Sequence, residues 1–196
     1  MFGFYVPSLF GAIAFAACFN AWAIFELIVN LRLWRRGSQN RDRFSRYLII
    51  GGMMIGFTLA SLAAGGARLA DITRARPYVF YLGLILMMAG LVFRGYAIRQ
   101  LGQYFVPEVV IQPGQRVMDR GLYQYLRHPS YTGTFITVLG YGFALTNWLG
   151  LLIMLVVAGT IYTVRMNIEE AALLEAFGDE YRDYMKRTKR VIPFVY

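Results

Sequence analysis

One histidine, one cysteine and 11 acidic residues are all that 196 positions offer of the side chains most used for metal binding, disulfides and acid–base work. With Cys18 alone, no disulfide framework and no cysteine-based metal site is available, and no metal centre is expected. There is also no glycine-rich fingerprint between a strand and a helix. Basic residues number 20 and bring the net charge to +9, but they flank apolar blocks instead of forming a soluble basic domain with stacking aromatics. No nucleic-acid partner is expected, and the excess charge reads as topology and contact with anionic lipid.

What the chain has in quantity is apolar surface: 58% of its residues are hydrophobic and 16% aromatic, too much for an ordinary soluble domain of this size. Blocks of about 20 residues, the length that crosses a hydrocarbon core, lie at 6–31, 47–69 and 78–98. A fourth, 132–164, is too long for one span and divides at Thr146-Asn147-Trp148, where polar residues and an interfacial tryptophan permit a tight reversal. The expected fold is all-α: a polytopic membrane protein of about five transmembrane helices with a C-terminal cytoplasmic helical region.

Flanking charge sets the expected orientation. Arg32, Arg35, Arg36, Arg41, Arg43 and Arg46 crowd the first connection against Asp42 alone, whereas 70–77 carries only Asp71, Arg74 and Arg76. The positive-inside bias then places the N-terminus outside and residues 98–131 and the C-terminus in the cytoplasm. The N-terminal block lacks a basic leader and a cleavable ending, so it reads as a retained span, and the brevity of the chain suggests a prokaryotic plasma membrane.

Residues 1–98 read as a three-helix scaffold with almost no buried ionisable group. Glu26, near the end of the first span, is expected to pair with a nearby arginine at the interface. The string Gly51-Gly52, Gly56, Ala60, Ala63-Ala64-Gly65-Gly66 suits close helix packing in lipid. Residues 99–196 carry the chemistry: a connector at 101–126 with turn signals at Pro107, Gln112-Pro113-Gly114 and Asp119-Arg120-Gly121, the helical hairpin, and C-terminal amphipathic helices. Leu173, Leu174 and Phe177 recur at helical spacing, Gly178 suits a helix end, and 179–188 presents Tyr181, Tyr184 and Met185 on one side.

The sole histidine sits in Arg127-His128-Pro129-Ser130-Tyr131-Thr132-Gly133, a polar cluster pressed against membrane. With Gly121-Leu122-Tyr123 before it, and Arg165, Glu169-Glu170, Phe177-Gly178-Asp179-Glu180-Tyr181, Tyr184 and 188–193 after it, the C-terminal half resembles the integral membrane isoprenylcysteine carboxyl methyltransferases and their prokaryotic relatives. That resemblance implies S-adenosylmethionine as methyl donor. Its cofactor segment falls on Gln115, Arg116, Val117 and Met118, then Tyr123, then His128, Pro129, Ser130 and Tyr131, with Glu169 as acidic partner. Arg165 matches the substrate-binding arginine, so Arg165, Glu169 and Glu170 are the expected catalytic residues. Where the family commonly places a histidine, this chain has Gln115.

The residue types suit the chemistry. A donor carrying an ammonium and a carboxylate needs an acid for the first, Glu169 or Glu170, and donors for the second, His128 or backbone amides. A carboxylate acceptor is already ionised at neutral pH, so no general base is required. The implied acceptor is lipophilic, most simply the carboxylate of a prenylcysteine-like thioether acid; phospholipid, amine or thiol methylation by the same fold is the variant. Membrane sterol reductases, which use a nicotinamide cofactor, share a tyrosine-containing amphipathic segment and an arginine before an Ile-Pro ending. His128-Pro129 and Glu169-Glu170 look more like the methyltransferases. A non-enzymatic scaffold or transporter would need polar residues inside several spans.

Overall fold

The computed structural model of the chain describes residues 4–34, 43–105 and 114–193. Among them are six α-helices, three short 3-10 turns and no strand: α1 (Leu9–Trp34), α2 (Arg43–Gly66), α3 (Arg76–Leu101), α4 (Pro129–Ala144), α5 (Trp148–Phe177) and α6 (Asp179–Arg187). The side chains of the arginine cluster from Arg32 to Arg46, and the turns expected at Pro107 and Gln112-Pro113, lie outside the described residues.

Four helices, α1, α2, α3 and α5, are long and apolar enough to cross a membrane, which makes this a membrane protein. Helix α4 is shorter, at 16 residues and about 24 Å. It begins three residues earlier than the hydropathy pattern suggests, because Pro129 presets the first helical turn and needs no partner for a missing N–H. Helix α5 does not end with its apolar block. It runs on for 30 residues, about 45 Å, carrying Arg165 to Phe177 on the same rod until Gly178, at φ 55°, stops it.

The break between α4 and α5 falls where the sequence places it. Asn147 caps α5 by accepting from the Gly150 amide at 3.0 Å, and its amide group donates to Ala67 O and Asp71 Oδ1. Thr146, at φ 50°, is held in the left-handed region by Arg76 Nε at 3.0 Å on its hydroxyl and the Ile72 amide at 2.8 Å on its carbonyl. The hairpin is thereby fastened to the α2–α3 connection, so α4 runs antiparallel to α3 towards that end of the bundle.

Helix α2 lays its small face on α5, Gly52 beside Ile161 and Gly56 beside Val157. The closer approach is between α3 and α4. A Cβ on Gly90 would sit 2.6 Å from Gly133 O, and one on Gly133 would sit 2.6 Å from Arg94 N. Gly133→Leu is therefore expected to cost about 1–3 kcal/mol and the native order of the site, read as a lower unfolding midpoint in detergent. Helix α1 packs on α3, and the rings of Phe19 and Trp22 meet Phe57 of α2 at 5.8 and 4.7 Å. Phe15, Phe80, Met87, Tyr141, Leu145 and Met154 fill the centre.

Candidate active site

Past Trp22 and Phe57 the bundle opens into a cavity of about 530 Å³ that continues under the connector. Its apolar end lies between α1 and α2, where Leu27, Leu31, Ile50 and Met54 line it and are also exposed on the outside. The opposite end is walled by Gln115, Arg116, Val117 and Met118 of the connector, by Leu173 of α5 and by Tyr181 and Tyr184 of α6. Tyr123, His128, Ser130, Tyr131, Arg165 and Glu169 line it as well. Of the expected catalytic and cofactor-binding residues, Pro129 and Glu170 are the two that do not.

Their places follow from how the tail closes the structure. After α6 the chain runs beside the connector: the Arg127 amide donates to Lys189 O, the His128 amide to Arg190 O and the Lys189 amide to Tyr125 O. Thr132 Oγ1 donates to Val191 O at 2.7 Å, and Tyr184 Oη to Tyr123 O at 2.6 Å. Glu170 is the electrostatic centre of this seam. Its carboxylate lies 2.8 Å from Arg127 Nε, 2.6 Å from Arg190 Nη2 and 3.1 Å from His128 Nε2, with only 4% of the side chain exposed. Arg127 also donates to the carbonyls of Met185 and Thr188. Every one of these contacts is internal, so Glu170 holds the wall of the cavity and does not face it. Pro129 is buried as the first residue of α4.

Glu169, one residue earlier, points the other way. It is about one-third exposed, accepts from Tyr131 Oη at 2.8 Å and lies 3.7 Å from His128 Nδ1. Arg165, one turn back along α5 and buried, donates from Nε to the same Tyr131 hydroxyl at 3.4 Å. The tyrosine thus links a cation and an anion on one face of α5, and its ring stacks on His128 at 5.4 Å. Burial and the Glu169 carboxylate push the Tyr123 hydroxyl up from the usual phenol range, so it stays a neutral donor, directed at Ala97 O.

The structure adds a residue that the sequence reading passed over. Arg94, in the middle of an apolar run of α3, is buried, lines the cavity and corrects the expectation that residues 1–98 bury almost no charge besides Glu26. Its Nη1 donates to Ser130 Oγ at 3.0 Å, Ser130 O at 3.2 Å and Thr134 Oγ1 at 2.9 Å. Its other edge meets Glu26 of α1, Nε to Oε1 at 2.8 Å and Nη2 to Oε2 at 3.2 Å. The partner of Glu26 is therefore an arginine inside the bundle. A lone charge inside a span is itself the signal that could have found Arg94.

Comparison with known proteins bears on this same region. Residues 82–175, from α3 through the connector and hairpin to the last turn of α5, match the isoprenylcysteine carboxyl methyltransferase (ICMT) family. The match covers just under half of the chain and shows what this part of it is similar to. Among similar proteins, the protein-S-isoprenylcysteine O-methyltransferase of Schizosaccharomyces pombe is 34% identical over 109 residues, 48% of this chain and 46% of that protein. The Saccharomyces cerevisiae protein of the same name is 31% identical over 116 residues, 58% and 48% of the two chains. A probable member from Oryza sativa subsp. indica is 29% identical over 120 residues, 60% and 63%. The chain thus spans about half to three-fifths of the length of these relatives. The solved structure of a eukaryotic intramembrane Ras methyltransferase of the family superposes with a TM-score of 0.65 over 93% of this chain and 67% of that one, at 22% identity, and shares its fold.

Proposed function

We propose that this protein is a membrane-embedded methyltransferase that uses S-adenosylmethionine to esterify the carboxylate of a prenylcysteine-like thioether acid. One observation carries the reading: a single cavity has charged and aromatic walls at the connector end and hydrocarbon walls at the end between α1 and α2. Two reactants of opposite character fit such a space, a charged nucleotide-like donor and a lipid-like acceptor.

The donor set suits the cofactor. The partly exposed Glu169 carboxylate can take an ammonium, Arg116 and the amides of 115–118 a carboxylate, and Tyr123, Tyr181 and Tyr184 offer ring faces to an adenine. When bound, the cofactor supplies a methyl group made electrophilic by its sulfonium. The acceptor carboxylate is ionised at neutral pH, so the protein has no proton to remove. Its work is to orient the acid on Arg94 and Arg165, whose forks suit a carboxylate, and to keep water out. The acceptor enters between α1 and α2, where the lining residues are open to lipid, with the connector and the C-terminus in the cytoplasm of a prokaryotic plasma membrane and the N-terminus outside. Residues 1–98 form the transmembrane scaffold and 99–196 the catalytic part, within one structural domain.

Calorimetry on detergent-purified protein tests the reading with S-adenosylhomocysteine and, separately, reduced nicotinamide dinucleotide phosphate. Micromolar binding of the first, lost in His128→Ala, is expected. Binding of the nicotinamide alone would overturn it in favour of a reductase. Methyl transfer to a phospholipid amine, with none to a farnesyl thioether acid, would keep the donor and replace the acceptor.

A further inference from the structure

We propose that Glu26 is a resident counter-ion that occupies the acceptor's carboxylate position on Arg94, yields it to an arriving acid and retakes it once that acid has become an ester. The inference rests on the methyltransferase reading and deepens it by naming what makes the site select acids.

Two different frames hold the two halves of the pair. The guanidinium is fixed from its Nη1 side by Ser130 and Thr134 of α4, contacts that do not involve Glu26. This leaves the Nε–Nη2 edge as a two-point fork that Glu26 only half uses: Nη2 donates to Oε2 at 3.2 Å, while Oε1 lies 2.8 Å from Nε without accepting its buried N–H. A carboxylate that sits in line with both N–H groups can satisfy the donor that Glu26 leaves without an acceptor. Glu26 reaches it from α1, with 22% of its side chain exposed against 9% for Arg94, and both side chains line the cavity. The arginine is built in, and the carboxylate stands at the edge.

A buried guanidinium without a counter-charge is strongly disfavoured among apolar helices, so the empty site needs an anion on this fork. The acceptor brings one of the same chemistry. Exchanging carboxylate for carboxylate leaves the arginine paired throughout, and Glu26 can turn towards the opening between α1 and α2 where it is already partly exposed. A neutral ligand offers no charge to exchange and leaves the pair closed. In the transfer, a carboxylate oxygen of the acceptor bonds to the methyl carbon as the donor's carbon–sulfur bond breaks, giving a neutral ester and a neutral thioether with no proton released. The ester cannot hold the fork against Glu26. One contact therefore favours both admission of the acid and release of the product.

If Glu26 served only to orient Arg94, removing its charge would weaken acid binding; as a competitor, removing it strengthens acid binding. The experiment measures KM for a farnesyl thioether carboxylic acid, and inhibition by its methyl ester, for the full chain in detergent with S-adenosylmethionine. Glu26→Gln is expected to lower the acid KM about fivefold or more and to shift inhibition by the ester less than about twofold. Glu26→Asp, whose shorter arm loosens the lock, is expected to move KM in the same direction by about twofold and carries the test if the glutamine variant does not fold. Acid turnover with KM unchanged or raised in the variants that fold would overturn the exchange while leaving the methyltransferase reading intact. A wild type that methylates no acid would overturn that reading and the exchange with it.

Discussion

Glu170→Ala is expected to lose about 3–5 kcal/mol of stability, lowering the unfolding midpoint by roughly 10 °C, whereas Glu169→Gln leaves stability within about 1 kcal/mol and loses the cofactor. The two carboxylates are adjacent in sequence and point to opposite faces of the cavity wall. Removing the first leaves Arg127 and Arg190 facing each other without the anion that separates them, at a site where 4% of the glutamate side chain meets solvent. Breaking a buried pair from one side is costly because the other charge stays behind. Arg127 also holds the carbonyls of Met185 and Thr188, so the seam between tail and connector goes with it. Among the described residues Glu169 has one close hydrogen-bond partner, the Tyr131 hydroxyl at 2.8 Å, and a glutamine oxygen can still accept from it. What glutamine cannot supply is charge for an ammonium, and S-adenosylhomocysteine affinity should fall by about tenfold or more. Thermal unfolding and calorimetry on both variants check this. A stable Glu170 variant that no longer binds would exchange the two roles.

The sequence carries more of this fold than of its site. The α4–α5 hairpin is legible because Asn147 and Thr146 interrupt an otherwise unbroken apolar block, and a polar pair there has to close a turn. Likewise the tyrosines of α6 recur at a spacing that puts both on one face, and both are buried. The α3–α4 contact carries a weaker signal that is nonetheless present. Gly83 and Gly90, and again Gly133 and Gly140, are each seven residues apart, two turns of helix, which lines them up on one side. No such pattern separates Glu169 from Glu170. Neighbours on a helix differ by about 100° in direction, and which of them meets the tail depends on residues 188–191 folding back across some sixty positions onto the connector. Arg94 differs: as a lone charge inside a span it is visible in the sequence, but its partners Ser130, Thr134 and Glu26 come from two other helices and are not.

Arg165→Ala is expected to reduce kcat/KM for the acceptor by about 100-fold, roughly 3 kcal/mol, while S-adenosylhomocysteine binds within about threefold of wild type. Arg165 lies on α5 one turn before Glu169, and only 3% of it is exposed, so the charge lies deeper in the bundle than the carboxylate that faces the connector. The Tyr131 hydroxyl stands between them, accepting from one and donating to the other, and loss of the arginine leaves the bond from tyrosine to Glu169 at 2.8 Å in place. On the proposed assignment the donor half of the cavity therefore keeps its geometry, and the acceptor half loses one of its two arginines. Arg165→Lys separates charge from shape. A lysine restores the cation but cannot offer two parallel N–H donors, so recovery of about tenfold or less is expected if orientation of the acid is what the arginine contributes. Full recovery by lysine would mean that charge alone suffices. Equal loss of cofactor binding and acceptor turnover in the alanine variant would show that Tyr131 transmits the arginine's absence to Glu169, and the cavity would then act as one unit with no separable halves.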